Sequence, residues 1–241
     1  MRVFLIAILV TLASIATLPR AAGQGRGTPA GSAVTPKASA PIDLTGYWVA
    51  LVSEDWRFRM VMPPKGDYTR VALTEQGRKI ADAWDPAADE AAGNQCKAYG
   101  AAAIMRLPAR FRITWQDENT LRVESDYGTQ TRLFHFNSPP PTGERAWQGH
   151  SAAEWQKPSS LKVATTNMRS GYLRKNGVPY SENAVVTEYF DLAPIPGGGQ
   201  ALLVTTIVDD PLYLQGSYVV TSQFKKEADG SKWDPTPCSV K

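Results

Sequence analysis

From residue 109 onward the chain is written in alternation. Phe111-Arg112-Ile113-Thr114-Trp115 and Leu121-Arg122-Val123-Glu124-Ser125 place apolar and polar side chains in turn, the period of a half-buried strand. Asp117-Glu118-Asn119 and Asp126-Tyr127-Gly128 supply the turns, and 129–136 is a third run, so this part predicts a meander of short hairpins. Pro139-Pro140-Pro141-Thr142-Gly143 interrupts it with a surface loop. Runs at 161–166, 184–190, 201–208 and 217–224 follow, parted by Arg174-Lys175-Asn176-Gly177 and Pro196-Gly197-Gly198-Gly199. Earlier, 44–52 reads as a first strand. The segment 56–62 also alternates, with Trp56, Phe58, Met60 and Met62 on one face and Arg57, Arg59 and Val61 on the other.

Between these runs the period changes. Thr74 is placed to cap a helix reaching about Trp84, with Ile80, Ala83 and Trp84 on one side, although Gly77 sits inside it. Asp85-Pro86 has the form of an N-cap followed by proline at the first helical position, opening a short Ala-rich helix that stops at Gly93. Regular short strands with turn signals predict a sandwich or a closed barrel; the reading adopted is an all-β antiparallel barrel of about 8–10 strands, with short helices near residues 74–93.

The first residues belong to another class. Arg2 precedes an apolar run over 3–18, and Ala21-Ala22-Gly23 places small residues at a cleavage position. Residues 1–23 therefore read as a secretory signal, too loosely apolar for a membrane span. Residues 24–41 are Gly, Ala, Ser, Thr and Pro with two charges and read as a flexible linker, leaving 42–241 as one domain. The expected location is exported, periplasmic or secreted, with no membrane span in the mature chain. The formal charge of +3 falls to +1 once Arg2 and Arg20 are removed. With no dense basic stripe, nucleic acid is excluded as the expected partner.

Cys96 and Cys238 are the two cysteines. In an exported chain an even pair reads as a disulfide tying the C-terminal tail to the Cys96 region; the alternative is a reactive thiol at Cys96. The sequence contains no phosphate loop, dinucleotide fingerprint, His-Glu-x-x-His, close cysteine pair or Gly-x-Ser-x-Gly elbow, so no cofactor and no metal are expected.

Several segments together resemble a family of exported, uncharacterised bacterial proteins with a lipocalin-like appearance. They are Leu44-Thr45-Gly46-Tyr47-Trp48, Gln95-Cys96, Thr131-Arg132-Leu133-Phe134, Trp147-Gln148-Gly149-His150-Ser151 with Trp155, Gly177-Val178-Pro179-Tyr180-Ser181, Val186-Thr187-Glu188-Tyr189-Phe190, Asp210-Pro211 and the late Cys238. The order spans nearly the whole mature chain. Gly-x-Trp at 46–48 is also similar to the lipocalin signature, in which that tryptophan closes one end of the barrel. After Trp155 the chain reads Gln156-Lys157-Pro158-Ser159-Ser160-Leu161, where related sequences often carry Glu-Gly-Asp-Thr-Leu. The resemblance implies a lipocalin-like barrel and brings no activity with it.

His150 has two readings: a general base at a barrel mouth beside Ser151, or a corner residue where Gly149 makes the turn. His135 depends on which face of 129–136 points inward. With Leu133 inside, His135 is a buried polar group; with Phe134 and Phe136 inside, His135 is an outer residue and Arg132 becomes the interior oddity. Arg57 and Arg59 face solvent if Trp56 and Phe58 face the core; in a ligand-binding barrel they could instead hold a carboxylate. Seven tryptophans and nine tyrosines are many for this size; most are expected in the core, and an excess over core needs would line a cavity for flat or apolar molecules, with Trp48, Trp56, Trp115 and Tyr189 as the wall. The leading expectation is thus a barrel binding a small apolar or aromatic molecule in its interior. The alternatives are a cofactor-independent lyase or isomerase using His150 or His135, and a structural envelope-associated protein with a filled barrel.

Overall fold

Barrel closure decides which alternating runs become strands. The computed structural model describes residues 34–137, 139 and 142–240; the expected signal and the first part of the linker lie outside them. In chain order the strands are β1 (Gly46–Leu51), β2 (Arg110–Trp115), β3 (Thr120–Ser125), β4 (Tyr127–Gly128), β5 (Gln130–Phe136), β6 (His150–Gln156), β7 (Ser160–Thr166), β8 (Gly171–Arg174), β9 (Val178–Tyr180), β10 (Val185–Pro194), β11 (Gln200–Asp209), β12 (Tyr218–Glu227) and β13 (Thr236–Pro237). Nine of them close in the order β1-β12-β11-β10-β7-β6-β5-β3-β2, with β2 returning to β1. The strand count is the expected one, and every junction is antiparallel except β5–β6. Parallel neighbours need a crossover rather than a hairpin, and the long connection between Phe136 and His150 leaves room for it.

The segment 56–62 is not a strand. Both edges of β1 are already taken by β2 and β12, so a closed barrel offers it nothing to pair with. It forms a short helix α1 (Trp56–Arg59) instead, and Trp56, Met60 and Met62, expected in the core, are exposed. The two predicted helices are present as α2 (Glu75–Asp82) and α3 (Pro86–Ala91). Thr74 accepts the Gly77 N–H at 3.0 Å, and Asp85 accepts those of Ala87 and Ala88 at 2.9 and 3.3 Å. The buried stripe of α2 is Gly77, Ala81 and the following Trp84, while Ile80 and Ala83 stay outside. A Cβ at position 77 would lie 2.5 Å from the Tyr213 carbonyl oxygen, so the helix seats only where the residue is glycine.

Inside the barrel the strands alternate as the pleat requires. Phe111 and Phe224 meet edge to face at 5.3 Å, as do Phe134 and Phe190. With Trp48, Leu121, Leu161, Val163, Leu202 and Val204 they are fully buried and occupy the barrel's middle. Trp48 donates its indole N–H to the Leu44 carbonyl at 2.9 Å. Phe134 and Phe136 being inward places Arg132 inside and His135 outside, the second of the two sequence readings. Arg132 is held there by Glu188 through two hydrogen bonds, 2.6 and 3.1 Å, and by Thr165 at 3.2 Å; Thr165 also bonds Ser151 at 2.8 Å.

One end of the barrel is covered by a layer of short pieces. These are the 3₁₀ turns Gln95–Tyr99 and Ile104–Arg106, whose Ala98, Tyr99, Ile104 and Met105 join the barrel core, and the β8–β9 hairpin and α2, which share a second apolar cluster containing Leu73, Ala81, Leu173, Val178 and Tyr180 with Val208 of β11. Cys96 and Cys238 form a disulfide across this layer. The C-terminal tail is fixed beside it. β13 pairs with β4, and Ser239 N–H bonds the Tyr99 hydroxyl at 3.1 Å. At the other end Trp155 donates to the Pro36 carbonyl at 2.8 Å, and Lys37 bonds Glu118 at 2.8 Å, so the chain is anchored from that point of the expected linker onward. No helix among the described residues is long and apolar enough to cross a membrane.

Candidate functional site

A cleft of about 140 Å³ opens in the capping layer. Three elements make it. α1 and the strip after it bring Phe58, Arg59, Met60 and Met62. The 3₁₀ turn Ile104–Arg106 brings Arg106 and leads to Leu107. The end of β8 brings Leu173, Arg174 and Lys175. The walls are apolar, and the polar groups are cationic apart from the Tyr127 hydroxyl.

The turn after β8 fixes its own neighbour. Asn176, fully buried, donates to the Pro64 and Asp67 carbonyls at 3.1 and 3.0 Å, which holds the strip after α1 against the β8 end. Lys175 bonds the Tyr127 hydroxyl at 3.0 Å and lies 4.9 Å over the rings of Tyr99 and Tyr127. The cleft therefore rests on the layer that the disulfide and the β4–β13 pair tie down.

Charge is unbalanced here. Arg106 is 6 % exposed; it donates to the Tyr218 hydroxyl at 2.7 Å and reaches Asp55 at 3.5 Å. Asp55 also pairs with Arg70. Arg59 spends its Nε on the Arg106 carbonyl at 2.7 Å. Burial first, and then the neighbouring Arg106, push the Arg59 guanidinium down to about 10, with Asp55 and Glu54 pulling the other way. Arg174 is 4 % exposed and lies 4.7 Å over the Phe58 ring, yet its Nε and both Nη atoms have no hydrogen-bond partner among the described residues. One Nη of Arg59 and one of Arg106 are in the same state. Buried guanidinium nitrogens are ordinarily bonded, so the arrangement is electrostatically incomplete.

No family model matches this chain, and no curated protein matches it. The function has to be read from the site itself.

The residues singled out from sequence are scattered over the molecule. Arg59 alone lines the cleft; Arg57 and Trp56, on the same helix, are exposed beside it. Trp48 and Arg132 are interior core groups. Trp115 is a half-buried inner residue at the far end, packed on Phe136 at 5.7 Å and Trp155 at 6.4 Å, and Tyr189 is a half-buried outer residue of β10. His135 and His150 are brought together, stacked with ring centres 5.2 Å apart, on the outer side of the β5–β6 junction. Burial first, then His150, holds His135 below the usual histidine range, and the His150 Nε2 is buried without a partner among the described residues. Neither ring lines the cleft. Gly149, φ +58°, makes the turn into β6, where a Cβ would lie 2.3 Å from the Thr166 carbonyl oxygen.

Arg106 and Arg174 are the residues that sequence reasoning passed over. Arg174 stood in what read as a polar loop. Arg106 did carry a signal: it is the one charge in Ala101-Ala102-Ala103-Ile104-Met105-Arg106-Leu107, an apolar run in which a cation is a buried cation.

Proposed function

We propose that the protein is an exported barrel that binds a small molecule with a flat apolar body, in the cleft of its capping layer rather than in the barrel's interior. The observation that carries the reading is the contrast between the two spaces. The interior is taken by Trp48, Phe111, Phe134, Phe190 and Phe224, whereas the cleft presents Phe58, Met60, Met62, Leu107 and Leu173 to an opening. Trp56, Met60 and Val61 are about 60 % exposed around its lip, apolar surface that a monomer rarely leaves uncovered without use. Methionines suit such a lip because they repack around different shapes. The disulfide, the pattern of residues 1–23 and the resemblance to exported lipocalin-like proteins support export.

A panel of single-ring aromatic compounds, neutral and charged, tests the reading by ligand-observed NMR. Some members should bind, and Phe58→Ala should weaken every one of them. Absence of binding across the panel would leave the second reading, a structural filled barrel, which the packed interior favours. Export is tested by the intact mass of protein recovered from the periplasm, which should lack residues 1–23.

A further inference from the structure

We propose that the molecule taken by the cleft is an anion, a carboxylate carried on a body about the size of one ring, with Arg174 as the group that receives it and Arg106 and Arg59 beside it. This rests on the cleft being a binding site and adds the chemical class of its ligand.

Four observations converge. First, Arg174 is buried in the cleft wall with three guanidinium nitrogens that have no partner among the described residues, and Arg59 and Arg106 each add one more. Guanidinium presents its N–H groups as a planar fork that matches a carboxylate with two parallel hydrogen bonds. Second, the nearby acids leave those nitrogens unbonded. None of them hydrogen-bonds the free nitrogens: Asp55 is shared between Arg70 and Arg106, Glu54 accepts from Gln223 at 3.3 Å, and Asp67, which accepts the Thr69 N–H at 3.1 Å and feels the charge of Arg174, makes no hydrogen bond to it. Third, the Arg174 guanidinium lies 4.7 Å over the Phe58 ring, so an aromatic face already stands beside the cation before any ligand arrives. Fourth, the volume of about 140 Å³ is close to the roughly 150 Å³ that takes up a benzene molecule elsewhere, and the walls around the cations are apolar. A bare inorganic anion would leave those walls uncovered; a neutral ring would leave the guanidinium nitrogens unpaired. An aromatic or similarly compact carboxylate satisfies both.

Benzoate and its neutral isostere benzamide are the probes, used at matched concentrations on the intact protein. Benzoate should move the backbone amide NMR signals of residues 58–62 and 173–175 and raise Tm, as any ligand of the folded state does. Benzamide should bind about tenfold or more weakly, the loss of one charge-assisted pair. Arg174→Met should abolish benzoate's advantage while leaving the unliganded Tm unchanged or higher, because an uncompensated buried cation is removed. Arg174→Lys, which keeps the charge and loses the fork, should retain part of the advantage and serves if the Met variant does not fold. If Arg174→Met lowers Tm and the benzoate preference survives, Arg174 is a structural residue and the inference is wrong. Equal binding of the two probes at the cleft overturns the anion and leaves the cleft reading standing. If neither probe moves the cleft signals, both fall.

Discussion

Glu188→Gln is the most demanding test of how the barrel interior is held. Glu188 and Arg132 are 0 % and 2 % exposed, and the carboxylate accepts from both terminal guanidinium nitrogens, at 3.1 Å through Oε1 and 2.6 Å through Oε2. The amide preserves volume but turns one acceptor into an N–H donor facing an N–H. It also leaves the Arg132 charge buried without a counter-charge, with only the remaining amide oxygen and Thr165 as side-chain hydrogen-bond partners. Breaking a buried pair from one side costs about 3–5 kcal/mol. At about 2–4 °C per kcal/mol for a domain of this size, Tm should fall by about 6–20 °C. Removing both charges is different. Arg132→Met with Glu188→Leu leaves the Ser151–Thr165 bond intact and no orphaned ion, so stability should recover most of the loss. Urea unfolding with the disulfide intact gives both free energies, provided the m-value is unchanged. High salt should not close the gap, since a pair this deep is poorly screened. A single variant losing less than about 1 kcal/mol, or a double variant as unstable as the sum of the singles, would refute the argument.

Two further outcomes follow from the fold. Cys238→Ser with Cys96→Ala opens a loop of 142 residues' separation; the chain-entropy value is about 5 kcal/mol as an upper figure, and hydrogen exchange should rise first in 95–99 and 236–240, the segments the bond joins. His135 titrates below its ordinary 6.5 because of burial and then His150. The unfolded chain therefore binds the proton first as pH falls, so this contribution to stability is present above about 6.5 and is lost below it. Wild type should lose more stability than His135→Asn between pH 7 and 5 in paired urea titrations; parallel curves would contradict the assigned environment.

What the sequence determined by itself was periodic and local. Alternation over 111–115, 121–125, 184–190, 201–208 and 217–224 defined strands, because a pleated chain with one buried face leaves no other arrangement of side chains. Thr74 and Asp85-Pro86 defined two helix starts, because capping needs only the next three residues. The same local rule misread 56–62, whose alternation is as clean as any; what it lacked was a free strand edge, and edges exist only once the sheet has closed. The face of 129–136 was undecidable from its own pattern. Packing of Phe134 on Phe190, five strands later in the chain, settled it and sent Arg132 inward. The cleft was the least legible of all. Arg59, Arg106 and Arg174 are separated by 47 and 68 positions, and each looks ordinary where it stands. Only tertiary structure gathers three guanidinium groups and leaves nitrogens of each without a partner among the described residues, because pairing is a property of neighbours in space and not of neighbours along the chain.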